Sequence, residues 1–120
     1  MRSWGRLRGE HLRQEHEERG IERSPVNFMR HHDLPFAAVW DVNEEVAEDG
    51  ELVARIYDTP HDEAWRDMNA ADLGDAAGLG ALWYEESYAA MIEAYLPEAS
   101  LEWTSQMCRG DALTELRITA

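Results

Sequence analysis

The chain has 120 residues and a formal net charge of −14, with 25 acidic residues against 11 arginines and no lysine. A length of this order makes one domain with one core, and so acidic a chain excludes nucleic acid and an anionic membrane as main partners, because phosphates are repelled. No apolar run approaches the ~20 residues of a membrane span, and the absence of lysine excludes Schiff-base chemistry on a lysine amine.

The charge is unevenly placed. Residues 1–32 hold seven Arg against five Glu, whereas residues 33–120 hold four Arg against twenty acids. The N-terminal segment is thus read as an arm, residues 1–33, that docks on its own acidic body or on that of a neighbouring subunit, and residues 36–120 as the core of a single domain. The segment Met1-Arg2-Ser3-Trp4-Gly5-Arg6 lacks the apolar stretch of a signal peptide. Cys108, the single cysteine, cannot close an internal disulfide. Both features fit a cytoplasmic location.

In chain order, residues 4–19 predict a polar helix whose only aliphatic residues are Leu7 and Leu12, closed by Gly20. So little apolar surface does not hold a helix alone. It must pack through Trp4, Leu7 and Leu12, and a homodimer through this helix is one way to cover it. Ser24 and Pro25 then read as the N-cap and first position of a short helix. Val26, Phe28 and Met29 should face inward, and the helix should stop before Asp33-Leu34-Pro35. Residues 36–58 predict a β-hairpin: Phe36, Ala38, Trp40 and Val42 alternate, Glu48-Asp49-Gly50 turns, and Leu52, Ala54 and Ile56 resume the alternation. The acidic run Glu44–Asp49 then lies at the solvated hairpin end.

Thr59-Pro60 starts a third helix, running to about Asn69 with an apolar stripe of Ala64, Trp65 and Met68. The small-residue stretch Ala70–Gly80 predicts a linker. A helix from about Leu79 to Leu96 should present Leu79, Leu82, Trp83, Ala90, Met91 and Tyr95 on one face, and Pro97 ends it. Leu101, Trp103, Ser105 and Met107 alternate in a third strand. Arg109-Gly110-Asp111 is a turn, and Leu116 and Ile118 mark the inner face of the last strand. The order α-α-β-β-α-α-β-β predicts an α+β fold: a four-stranded antiparallel sheet of two hairpins, with helices packed on one face. A pocket between that sheet and the Trp83 helix is the natural place for a small-molecule ligand or substrate.

Two constellations carry candidate chemistry. His61 stands at a helix start just after a strand, where it can act as general base, with Asp58 or Asp62 to orient it. Asp62 and Glu63 equally serve the positive end of the helix dipole. On the long helix, Glu85 or Glu86 should point toward the sheet, where a carboxyl beneath Trp83 could donate a proton. Tyr57, Trp83, Tyr84, Tyr88 and Trp103 would line the site. The lone Cys108 reads first as a small buried hydrophobe. His31-His32-Asp33 and His11 with Glu15 lack a second ligand cluster. Neither a metal nor a cofactor is therefore expected. The Arg109-Gly110-Asp111 triplet is explained by its turn chemistry, Gly for the backbone and Asp for a side-chain bond.

Four pieces taken together resemble a known family: the strand–helix junction Ala54 to Trp65, Leu73-Gly74, Leu82-Trp83-Tyr84-Glu85-Glu86, and the hairpin Gly110 to Ile118. They are similar to the L-2-amino-thiazoline-4-carboxylic acid hydrolases, which themselves look like the 4-vinyl-reductase type of small-molecule-binding domain. The similarity spans about residues 36–120. It implies an enzyme of natural-product or amino-acid-derived heterocycle metabolism, hydrolysing or cyclising at a C–N bond. In that reading His61 is the base, Asp58 its orienter and Glu85 the proton donor. The family's typical cysteines are missing: Tyr57-Asp58, Leu82-Trp83 and Thr114 stand in their regions. The alternative is a non-catalytic sensor or carrier of the same fold.

Overall fold

A computed structural model describes residues 1–31, 42–46, 50–56, 60–71 and 76–120. The fold is α+β. Helices α1 (Arg2–Arg19) and α2 (Pro25–His31) precede strands β1 (Val42–Val46) and β2 (Glu51–Ile56). Helices α3 (Pro60–Ala70) and α4 (Ala76–Tyr95) follow, then β3 (Ser100–Ser105), a 3-10 turn (Met107–Arg109) and β4 (Thr114–Thr119). β4 lies between β2 and β3, antiparallel to both, and β1 pairs antiparallel with the far side of β2.

Local chemistry sets the element ends. Gly20 closes α1 at φ 66°, in the left-handed region that favours glycine. The Asn27 N–H donates to Ser24 Oγ at 3.1 Å, the N-cap bond that opens α2. The last turn is a short 3-10 segment rather than a plain hairpin loop. Gly110 takes φ 98°, and the Asp111 carboxylate accepts from the Gln106 N–H at 2.9 Å.

The sheet's period-two pattern divides it into two faces. Leu52, Ala54 and Ile56 of β2 and Leu116 and Ile118 of β4 are buried. Leu101 pairs with Ile118, and Trp103 with Leu116. Phe28 and Met29 of α2 and Tyr84, Tyr88, Met91, Ile92 and Tyr95 of α4 complete this core. The opposite face carries ion pairs, Arg55 with Glu115 at 2.8 Å and Arg117 with Glu51 at 3.1 Å.

Several expectations are corrected. The first strand of the predicted hairpin lies at Val42–Val46, so Glu44 and Glu45 are within a strand rather than at a solvated end; Phe36, Ala38 and Trp40 lie outside the described residues. β3 stops at Ser105, and Met107 and Cys108 turn inward on the 3-10 segment, both 4% exposed. Of the α3 stripe only Trp65 is partly buried, while Ala64 and Met68 are exposed. α4 starts at Ala76, so Gly78 and Gly80 are helical. A Cβ on Gly80 would come 2.8 Å from the Trp65 ring, so the glycine lets α3 approach α4.

On α4, Ala90, Met91 and Tyr95 are buried as expected and Trp83 is partly so, but the inner face is wider and shifted at its start. Leu79 and Leu82 are 49% and 43% exposed, whereas Ala81, Tyr84, Ser87, Tyr88, Ile92 and Leu96 are buried. The reason is that α4 is covered from two sides, by the sheet and by α1. α1 does not pack through Leu7, which is 63% exposed, but through Gly5, Gly9, Leu12 and His16. Cβ atoms on Gly5 and Gly9 would fall against the Ser87 and Met91 carbonyl oxygens. The two helices run in the same direction, since the contacts advance together from Gly5–Ser87 to Gly9–Met91.

Candidate functional site

The long helix brings four of the five predicted ligand-lining aromatics together. Tyr84 and Tyr88 lie on adjacent turns, 6.1 Å apart between ring centroids. Trp103, on the strand facing them, is 5.9 Å from Tyr84 and 5.5 Å from Tyr88, the latter edge to face. Trp83 meets Tyr84 at 5.3 Å, and Trp4 of α1 stacks on Trp83 at 5.4 Å. Tyr84 and Tyr88 are buried; Trp83 and Trp103 are partly so. Such tilted and edge-to-face contacts add attraction beyond the area they bury. Trp103 Nε1 is buried and finds no hydrogen-bond partner among the described residues. A buried indole N–H normally finds one.

Glu85 is the described member of the predicted catalytic trio. Its Oε1 accepts from Gln106 Nε2 and from an Arg109 terminal nitrogen, each at 2.8 Å. The carboxylate is therefore clasped to the 3-10 turn. Glu86 instead faces Arg2 of α1 at 3.4 Å. Neither glutamate enters the core. His61 lies on the first turn of α3, but its side chain is outside the described residues, as are Asp58 and Tyr57.

The clasp accounts for the Arg109-Gly110-Asp111 triplet. Arg109 is engaged by Glu85 and Asp111 by the Gln106 amide, so both ends of the turn serve the fold. Cys108 is buried beneath it, its thiol 3.5 Å from Gln106 Oε1. Thr114 Oγ1 accepts from the Met107 N–H at 3.0 Å and fixes the other side of the turn. Of the partners of Glu85, Gln106 is not legible from sequence at all and Arg109 only as a turn residue. They lie 21 and 24 residues from it, beyond any local spacing rule.

A second polar pair lies in the α1–α4 interface. His16 is fully buried, with Nδ1 hydrogen-bonded to the Tyr95 hydroxyl at 2.8 Å and the rings edge to face at 5.3 Å. Burial pushes the Tyr95 hydroxyl above its ordinary pKa, against the lowering effects of Ser24 and Arg23. On the outer sheet face, hydrogen bonds from Arg55 and Thr104 hold Glu115 below the ordinary carboxylate value. Among the described residues no group of three or more His, Cys, Asp or Glu is placed to hold a metal ion, and no helix is long and apolar enough to cross a membrane.

No protein family, curated protein or solved structure matches this chain.

Proposed function

We propose that this chain binds a small planar molecule against the Tyr84–Tyr88–Trp103 wall. The observation that carries this reading is the Trp103 indole N–H, buried beside two tyrosines with no acceptor among the described residues. An unmade bond of this kind costs about 1–3 kcal/mol, and an acceptor atom on a heterocycle recovers it once the side chains that close the nitrogen off from solvent part to admit the ligand. In this reading the sheet is the complete four-stranded sheet of two hairpins, and the protein works in the cytoplasm.

The catalytic form of the proposal is acid/base hydrolysis or cyclisation at a C–N bond of such a heterocycle. Glu85 is the proton donor in this form, a carboxylate oriented by Gln106 and Arg109 at the rim of the core. His61 as base and Asp58 as its orienter complete the set. Without turnover, the same wall makes a sensor or carrier.

Titration with L-2-amino-thiazoline-4-carboxylate and with indole-3-carboxylate, followed by tryptophan emission, tests the reading. We expect saturable quenching by at least one of them. Trp103→Phe should weaken it about tenfold, the worth of one hydrogen bond, at nearly unchanged stability. Loss of product formation in Glu85→Gln, with quenching kept, would select the enzyme. Absence of quenching at millimolar ligand, or quenching indifferent to Trp103→Phe, refutes the binding wall.

A further inference from the structure

α1 carries two rows of residues with the same four-three-four spacing. Gly5, Gly9, Leu12 and His16 form the row buried against α4. The row one residue on is Arg6, Glu10, Arg13 and Glu17. Its side chains are 66%, 58%, 44% and 58% exposed. Successive residues diverge by ~100° around a helix, so this second row is a continuous stripe beside the first. It walls a groove of about 570 Å³, and Ala90, Ala94 and Pro97 lie across from it together with Glu93, which Arg2 engages at 2.8 Å. A four-three-four row lies along one side of a helix, where charges three and four apart are neighbours.

The charges of the stripe alternate: Arg, Glu, Arg, Glu. That order is self-complementary about a two-fold axis midway between Glu10 and Arg13. An antiparallel second copy sets Glu17 opposite Arg6 and Arg13 opposite Glu10, and the two-fold repeats both pairs. A parallel copy in register sets like charges opposite each other. A two-fold interface must be self-complementary in this sense, the same patch meeting itself.

We propose that the chain self-associates as an antiparallel dimer through the Arg6–Glu10–Arg13–Glu17 stripe of α1. Within one copy Arg6 Nε stands 3.9 Å from Glu10, and Arg13 Nε donates to Glu17 at 3.3 Å. Among the described residues their terminal guanidinium nitrogens make no hydrogen bond, so they are available to a partner's carboxylates. The small residues across the groove leave room for the partner's side chains. The net charge of −14 on each chain opposes association. At physiological salt, where the Debye length is ~8 Å, that repulsion is screened while pairs in contact persist. Exposed ion pairs contribute little each, so the dimer is weak and reversible. The proposal is independent of the binding wall.

Sedimentation equilibrium of the full chain at about 0.15 M salt tests it. The wild type should show a monomer–dimer equilibrium. Arg6→Glu with Arg13→Glu makes the stripe wholly acidic, and Glu10→Arg with Glu17→Arg makes it wholly basic. Each double variant alone should dissociate with a Kd about tenfold or more above wild type. Their equimolar mixture should recover a one-to-one heterodimer. Arg6→Gln with Arg13→Gln keeps helix-favouring residues and should weaken the dimer without reversing any charge. A wild type that stays monomeric overturns the proposal. So does a dimer that none of these variants weakens, or a mixture of two folded, helical variants that does not associate.

Discussion

At the scale of single residues, the polar groups fall into those tied by near neighbours and those tied across the fold. Glu115 belongs to the second kind. Its carboxylate accepts from Arg55 on the neighbouring strand and from Thr104 on the other side, both at 2.8 Å. These bonds favour the charged form, so the folded-state pKa lies below the unfolded one. The sign follows by linkage: the contribution is fully present above the unfolded pKa and is lost as pH falls through the folded one. Urea denaturation of wild type and Glu115→Gln should therefore differ most near neutral pH and converge below about pH 4.5, the ordinary value for this carboxyl. A gap that persists unchanged to pH 3 would show that the side chain acts by packing alone. Ser24, Pro25, Gly20 and Asp111 are of the first kind. Each acts within a few residues of itself, and each was legible from the chain.

At the scale of elements, the contact that organises the helices is one the hydrophobic pattern does not report. Glycine adds no apolar signal, so α1 reads as polar and poorly anchored. Yet Gly5 and Gly9 bring its backbone against the Ser87 and Met91 carbonyls, where Cα–H groups can face those oxygens. Gly9→Ala tests this directly. In an isolated α1 peptide the change should raise helicity, since Ala exceeds Gly by about 1 kcal/mol in helix propensity. In the protein it should destabilise by about 1–3 kcal/mol through overpacking, because the new Cβ would lie 2.9 Å from Ala94 Cβ as well as against Met91 O. A midpoint in urea equal to or above wild type would rule out the close approach. The inner face of α4 is legible only in part for a related reason: Ala90, Met91 and Tyr95 are buried as their spacing predicts, while Leu79 and Leu82 are exposed. A helix buried on one side shows one clean stripe, whereas α4 is covered by α1 and by the sheet, and its pattern no longer singles out a face.

At the scale of the whole molecule, α1 is part of the core rather than an appendage. It supplies Leu12 and His16 to the buried interior and places Trp4 on Trp83. Arg2 joins it to Glu86 and Glu93 of α4 at 3.4 and 2.8 Å. A docking arm would leave the fold intact when residues 1–23 are removed. Here the truncated chain should expose Ser87, Met91 and Tyr95, bind a hydrophobic dye and lose its cooperative thermal transition. Retention of a sharp transition with no dye binding would return the segment to the role of a separable arm.

The alternation in residues 51–56 and 114–119, the caps at Gly20 and Ser24, the turn glycine Gly110 and the α+β class were determined by the chain's own short-range pattern. A cap or a period-two strand depends only on neighbours within a few positions. Which face α4 buries, how α1 is anchored, and that Glu85 is clasped by Gln106 and Arg109 were decided by tertiary structure alone. These depend on surfaces and hydrogen-bond partners tens of residues apart, and only folding brings them within reach.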